Sequence, residues 1–252
     1  MKARGKQHSE MVQTAAMEEA EFDRFADEYE AVHSENIKAS GEGPEFFAAY
    51  KVADVRREME SSAGAMGHPI ILDLGAGVGN SIPHFRRQFP RSRLICLDVS
   101  RRSLTAAEER FMDQAEYIHF DGTTFPLDTE TVDVGFAACV LHHVNPVAHE
   151  SILAEFRRVI KPGGWLFLFE HNPFNPLTVR AVNTCPFDEN AILIRGAKLS
   201  RLTRKSGFSG VKLRYRIFFP RFLAGLRVLE PYLTWCPLGA QYYVMARRGG
   251  SE

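Results

Sequence analysis

The sequence predicts an α/β protein built on a doubly wound, mostly parallel sheet. Short apolar runs alternate with helical patterns along most of the chain. Two of these runs, Ile70–Leu74 and Leu94–Asp98, carry an acid at or near their carboxyl end. The first leads directly into Gly75-Ala76-Gly77-Val78-Gly79, a turn in which backbone approaches a ligand closely.

The elements follow in order. Met1 to about Ala20 reads as an arm, and an amphipathic segment begins at Phe22. Pro44 to Met59 is a helix with an aromatic side made by Phe46, Phe47 and Tyr50. Ser61–Gly67 is a small-residue linker. Strands are expected at Ile70–Leu74, Arg93–Asp98, Tyr117–Asp121, Val132–Cys139 and Trp165–His171. Ile82, Phe85 and Phe89 mark the helix after the glycine turn; Pro83 falls in its first turn and Pro90 ends it. Ile152, Leu153, Phe156, Val159 and Ile160 mark another helix, stopped by a turn at Lys161-Pro162-Gly163-Gly164. A helix near Leu199–Ser206 precedes strands at Val211–Phe218 and Gln241–Arg247. The expected organisation is a helical lid over residues 1–60 and a core over 61–252, with loops inserted at 171–198 and 219–240.

Composition narrows the function. Lys plus Arg and Asp plus Glu both number 31, so no bulk attraction draws the chain to nucleic acid. The four cysteines are scattered without a C-x-x-C pair, which suits free thiols in a reducing, cytoplasmic compartment. No apolar run approaches ~20 residues, so no transmembrane segment is expected, and Met1–Glu21 lacks the apolar stretch of a secretory signal. No metal site is expected. His142, His143, Glu170 and His171 are the nearest to one, but they lack the helical H-x-x-x-H spacing.

The glycine spacing discriminates between cofactors. A dinucleotide site wants G-x-G-x-x-G, and Asn80 stands where its third glycine would be. The spacing here is G-x-G-x-G, and Asp98 follows about twenty residues on, where a ribose-binding carboxylate belongs. The combination resembles the class I S-adenosylmethionine (SAM)-dependent methyltransferases, and the likeness extends from Ile70 to Trp165.

That resemblance implies a Rossmann-like seven-stranded sheet in the order 3-2-1-4-5-7-6, its last strand antiparallel. It implies that Asp73, Gly75, Ala76, Gly77 and Gly79 wrap the amino-acid end of SAM. Asp98, beside Val99, would take the ribose hydroxyls; Asp121-Gly122 would meet the adenine. Carbonyls of Ala138, Cys139 and Val140 would face the ammonium, and Tyr29 would pack over the cofactor. The N-terminal half also looks like small-molecule methyltransferases of the quinone-biosynthesis type.

The expected reaction is methyl transfer from SAM to an O, N or C nucleophile of a small molecule, leaving S-adenosylhomocysteine. His143 is the first candidate for the proton acceptor, followed by His171 and Glu170. Phe47, Tyr50, His142, Asn172 and Asn175 are candidate acceptor-binding residues. Asn172 and Asn175 equally suit turn-making. The aromatic and leucine-rich stretch Phe218–Leu238 is expected to be buried against the sheet, with a pocket wall, a homodimer face and an interfacial surface as alternatives. Three other functions compete. A nucleic-acid or protein methyltransferase is disfavoured by Cys139-Val140-Leu141-His142 in place of an amino-methylating motif. An oxidoreductase is disfavoured by Asn80. A SAM-binding protein without turnover stays open.

Overall fold

The computed structural model describes residues 41–63 and 67–250. Tyr29 and the segment beginning at Phe22 lie outside the described residues. Seven strands form: β1 (Ile70–Leu74), β2 (Arg93–Asp98), β3 (Glu116–His119), β4 (Val132–Ala138), β5 (Ile160–His171), β6 (Phe208–Arg216) and β7 (Gln241–Arg248). They make one sheet in the order β3-β2-β1-β4-β5-β7-β6. The first five pair in parallel, and β7 runs antiparallel between β5 and β6. This is the expected Rossmann-like architecture.

The strands read as continuous apolar runs because both faces of the sheet are covered. Alternate side chains divide between two cores. Ile71, Leu94, Cys96, Val134, Phe136, Phe167 and Phe169 pack under α1 (Pro44–Ala63) and α2 (Ile82–Gln88). Leu72, Leu74, Ile95, Leu97, Leu166 and Leu168 pack on the other face, under α4 (His149–Val159) and α6 (Gly196–Lys205). α3 (Arg101–Phe111) completes the helices of the first half; its N-cap Ser100 accepts a bond from Ser103 N at 3.0 Å.

Four details differ from the sequence reading. Lys161–Gly164 is a bulge inside β5 rather than a turn before it: Val132 pairs with Ile160 and Val134 with Trp165. Gly163 takes φ +75° there, a conformation that glycine supplies without cost. β3 stops at His119, so Asp121 lies in the loop beyond it. β6 starts and stops earlier, and Phe218 falls outside it.

The fourth difference is larger. Apart from Phe218, which packs against the core, the large apolar side chains of Phe218–Leu238 are mostly exposed rather than buried against the sheet. Phe222 is 81% exposed and Trp235 72%. Polar anchors hold this segment instead: Phe218 N and Phe219 N donate to the buried Glu230 carboxylate, and Arg227 pairs with Glu42. No helix among the described residues is long and apolar enough to cross a membrane.

Candidate active site

The glycine turn lies at the carboxyl end of β1. Gly75, Gly77 and Gly79 all have positive φ. A Cβ on Gly75 would sit 2.4 Å from Val140 Cγ2, so that position admits no side chain. A Cβ on Gly77 would meet nothing within 4 Å. The turn therefore opens onto free space at Gly77. Gly77 N donates to Asp98 Oδ2 and Ser100 N to Asp98 Oδ1, both at 2.8 Å. Burial pushes the Asp98 carboxyl up, and these backbone bonds oppose the rise. Ala76 is half-buried in the turn, and Val99 is buried beside Asp98.

Asp73 is 2% exposed, and its Oδ2 has no hydrogen-bond partner. Burial, reinforced by the Asp98 charge, raises it to about 8, while Lys51 pulls the other way. An orphaned buried carboxylate oxygen near an open glycine turn fits a ligand that brings hydroxyl or ammonium donors. Asp121 is exposed, and its Oδ1 accepts bonds from Thr123 N, Thr123 Oγ1 and Thr124 N. That oxygen is making a turn, which Gly122 continues at φ +80°.

A polar cluster lies at the carboxyl ends of β4 and β5. Cys139 takes φ +60° as β4 ends, and a 3₁₀ turn, Leu141–His143, follows. His149 Nε2 lies 2.8 Å from Leu141 O and 3.1 Å from Val144 O and bridges the two carbonyls of that turn. Glu170 Oε1 accepts from Leu141 N at 2.8 Å, and Oε2 lies 2.6 Å from His142 Nδ1. From the opposite side, Asp188 Oδ1 lies 3.4 Å from His142 Nε2 and 3.3 Å from His143 Nε2. Asp188 ends a short 3₁₀ turn, Pro186–Asp188, tied to the histidine loop by Ile192 N donating to His142 O at 2.8 Å.

These surroundings set the charges. Burial alone would lower His142, but the Glu170 charge, its hydrogen bond and the nearby Asp188 carboxylate raise it to about 10. Burial and the His142 charge lower His143 to about 3. Burial opposes ionisation of Asp188, yet its histidine neighbours hold it at about 2. Burial likewise opposes the Cys139 thiolate, but His171 and Lys51 bring it down to about 6. Lys51 Nζ donates to Cys139 Sγ at 3.3 Å.

The structure thus brings His142, His143, Glu170 and His171 together, and the ring centroids of His142 and His171 are 5.2 Å apart. Both Glu170 oxygens are already engaged, so this carboxylate orients His142 and is not placed to shuttle a proton. Phe47 and Tyr50 of α1 are buried; Tyr50 OH donates to Gln241 Oε1 and its ring meets Phe169 edge-on. Gln241 Nε2 lies 3.4 Å from His171 Nδ1, so α1 reaches the same end of the sheet.

Asn172 and Asn175 have a structural occupation instead of the acceptor role. Asn172 Nδ2 donates to Pro237 O and Gly239 O, and its Oδ1 accepts from Phe174 N. Asn175 caps α5 (Pro176–Thr184), accepting from Leu177 N and Thr178 N, while its Nδ2 donates to Leu238 O. Their amides stitch two loops together.

Sequence reasoning missed Lys51, Gln241 and Asp188. Lys51 had a signal, being four residues from Phe47 on the buried side of α1. Asp188 had none, because its partners His142 and His143 lie over forty positions earlier.

Comparison with known proteins agrees with this geometry. Residues 72–168 match a family model described as a methyltransferase domain. The chain is 31% identical over 119 residues to a ubiquinone/menaquinone biosynthesis C-methyltransferase, UbiE, of Desulfotalea psychrophila, covering 47% of this chain and 48% of that one. It is 28% identical over 113 residues to a malonyl-[acyl-carrier protein] O-methyltransferase of Xylella fastidiosa, covering 44% and 38%. The chain thus spans about half the length, or less, of these curated relatives. Its fold is similar to that of a SAM-dependent methyltransferase, a possible histamine N-methyltransferase, of Thermotoga maritima, with a TM-score of 0.63 at 19% identity over 91% of this chain and 98% of that one.

Proposed function

We propose that the chain, whose residues 72–168 match the methyltransferase-domain model, is a class I SAM-dependent methyltransferase that acts on a small-molecule acceptor. One observation carries this reading. The open glycine turn with Asp73 and Asp98, and the imidazole cluster after β4 and β5, lie at the same carboxyl end of the sheet. That end is where ligands of doubly wound folds sit.

Gly75, Gly77, Asp73 and Asp98 would hold the cofactor. When bound, SAM supplies an electrophilic sulfonium methyl. The chain's own task is then largely alignment and exclusion of water. Asp98 offers an acceptor-only carboxylate to a vicinal diol. The acceptor site is bounded by α1, the Leu141–His143 turn and the Pro186–Asp188 turn. Tyr50, Lys51 and Gln241 wall it on one side, where Lys51 and Gln241 face Cys139 and His171. Burial and the His142 charge hold His143 well below its ordinary range, so it is neutral but a weak base, and His171 stands nearby as the other candidate proton acceptor. The relatives methylate carbon in one case and an oxygen in another, so the nucleophile of this chain is left general. Free thiols at all four cysteines fit a reducing cytoplasm.

The test is incubation of the full chain with methyl-labelled SAM and a metabolite extract, followed by mass spectrometry. Label in a low-molecular-mass product supports the reading. Label confined to protein or nucleic acid, or no transfer, contradicts it.

A further inference from the structure

We propose that His142, His143 and Asp188 form a binding site for one divalent transition-metal ion at the acceptor end of the site. The three side chains offer two imidazole nitrogens and one carboxylate oxygen, all within 4.8 Å of one another. The oxygen lies 3.4 Å from one nitrogen and 3.3 Å from the other. Tetrahedral ligands at zinc distances of about 2.0–2.2 Å stand about 3.4 Å from each other, so these separations are those of ligands around a common ion.

A second observation is independent of the spacing. His142 Nε2 is buried, faces Asp188 Oδ1 at 3.4 Å and makes no hydrogen bond. Its other nitrogen faces Glu170 Oε2 at 2.6 Å. A carboxylate on Nδ1 fixes the ring orientation, as for metal-ligating histidines, and a metal ion would take the place of the Nε2 proton. A plain buried ion pair would account for Glu170, His142 and Asp188. It does not call for His143 Nε2 to aim at the same Asp188 oxygen.

The frame is prepared as well. His149 braces the Leu141–His143 turn, and the Ile192 N to His142 O bond ties the Asp188 loop to it. Tyr242 OH, donating to Ile194 O at 2.7 Å, anchors that loop further. Two nitrogens and one oxygen suit zinc, manganese, iron or cobalt and not magnesium or calcium, which want oxygen ligands. Three protein ligands leave coordination positions open. An acceptor with a hydroxyl or carboxylate oxygen would fill one. That last role rests on the methyltransferase reading; ion binding itself does not.

The experiment uses the full chain, stripped with EDTA and titrated with Co²⁺ by visible absorption and with Zn²⁺ by calorimetry. One equivalent should bind, giving cobalt ligand-field bands that Zn²⁺ abolishes. Asp188→Ala and His143→Ala should each weaken the ion by roughly 100-fold with circular dichroism unchanged. Glu170→Gln should weaken it about 10–100-fold. Asp188→Asn serves if the alanine variant misfolds. The exposed His68→Ala should bind as the wild type does. Absence of a stoichiometric ion in the wild type overturns the site, as does wild-type affinity in the folded Asp188 variants. Parallel titration with S-adenosylhomocysteine separates the two readings: a chain that binds S-adenosylhomocysteine but takes up no Co²⁺ or Zn²⁺ sinks this site alone, and one that takes up the ion but not S-adenosylhomocysteine sinks the methyltransferase reading alone.

Discussion

Glu170 and His142 face each other 2.6 Å apart at the end of β5, both side chains about 1% exposed. Glu170 simultaneously accepts the Leu141 N–H, so one carboxylate sets both the imidazole and the backbone turn that carries it. The β5 terminus therefore controls the shape of the loop after β4. The pair is a positioning device, and its loss should be felt in stability and turnover before cofactor affinity.

Glu170→Gln should lower unfolding stability by about 3–5 kcal/mol, because removing one partner leaves a buried charge unanswered. Affinity for S-adenosylhomocysteine should change less than threefold, since the glycine turn is untouched, while methyl transfer falls at least tenfold. Urea denaturation and calorimetry on the same variant check this. Unchanged stability would show that the pair contributes nothing to the fold.

Asp73 gives a pH prediction. Its carboxyl stands at about 8 in the fold against an ordinary 3.8. A raised acid favours the folded state while protonated. Its contribution is complete below pH about 4 and is lost as pH climbs through about 8. The ligand-free wild type should therefore lose stability between pH 5 and 8 relative to Asp73→Asn, which carries no titrating group. Thermal melts across that window should show a flatter profile for the variant. Parallel profiles would mean that Asp73 is ionised in the fold.

Gly75 and Gly77 should respond differently to the same substitution. Gly75→Ala drives a Cβ into Val140 and should cost several kcal/mol of stability. Gly77→Ala meets open space and pays mainly for φ +52°, about 1 kcal/mol. Its loss of SAM affinity should exceed its loss of stability, because the added methyl projects where the cofactor belongs. Equal effects at both positions would argue that Gly77 serves only the turn.

Much of this was legible in the sequence for a physical reason. Buried parallel strands are apolar on both faces, so Ile70–Leu74 and Arg93–Asp98 announce themselves, and both are observed with those bounds. The glycine turn is local, and positive φ is a local demand. What was hidden depends on distant partners. Lys161–Gly164 reads as a stop because proline and glycine break helices, yet β5 absorbs it as a bulge opposite β4. Asn172 and Asn175 read as polar groups for a ligand because the carbonyls of Pro237, Gly239 and Leu238 that occupy them lie over sixty residues away. Phe218–Leu238 reads as buried from composition, but its anchors are the Glu230 carboxylate and the Glu42–Arg227 pair. Asp188 joins His142 and His143 only through tertiary folding.

The central claim is that Asp98 and the glycine turn bind SAM. Calorimetric titration of the full chain and of Asp98→Ala with S-adenosylhomocysteine and with NADH tests it most directly. The wild type should bind S-adenosylhomocysteine and not NADH, and Asp98→Ala should lose about 1.5–3 kcal/mol of that affinity, the worth of a charge-assisted hydrogen bond. Undiminished affinity in Asp98→Ala, or binding of NADH in place of S-adenosylhomocysteine, would contradict the account.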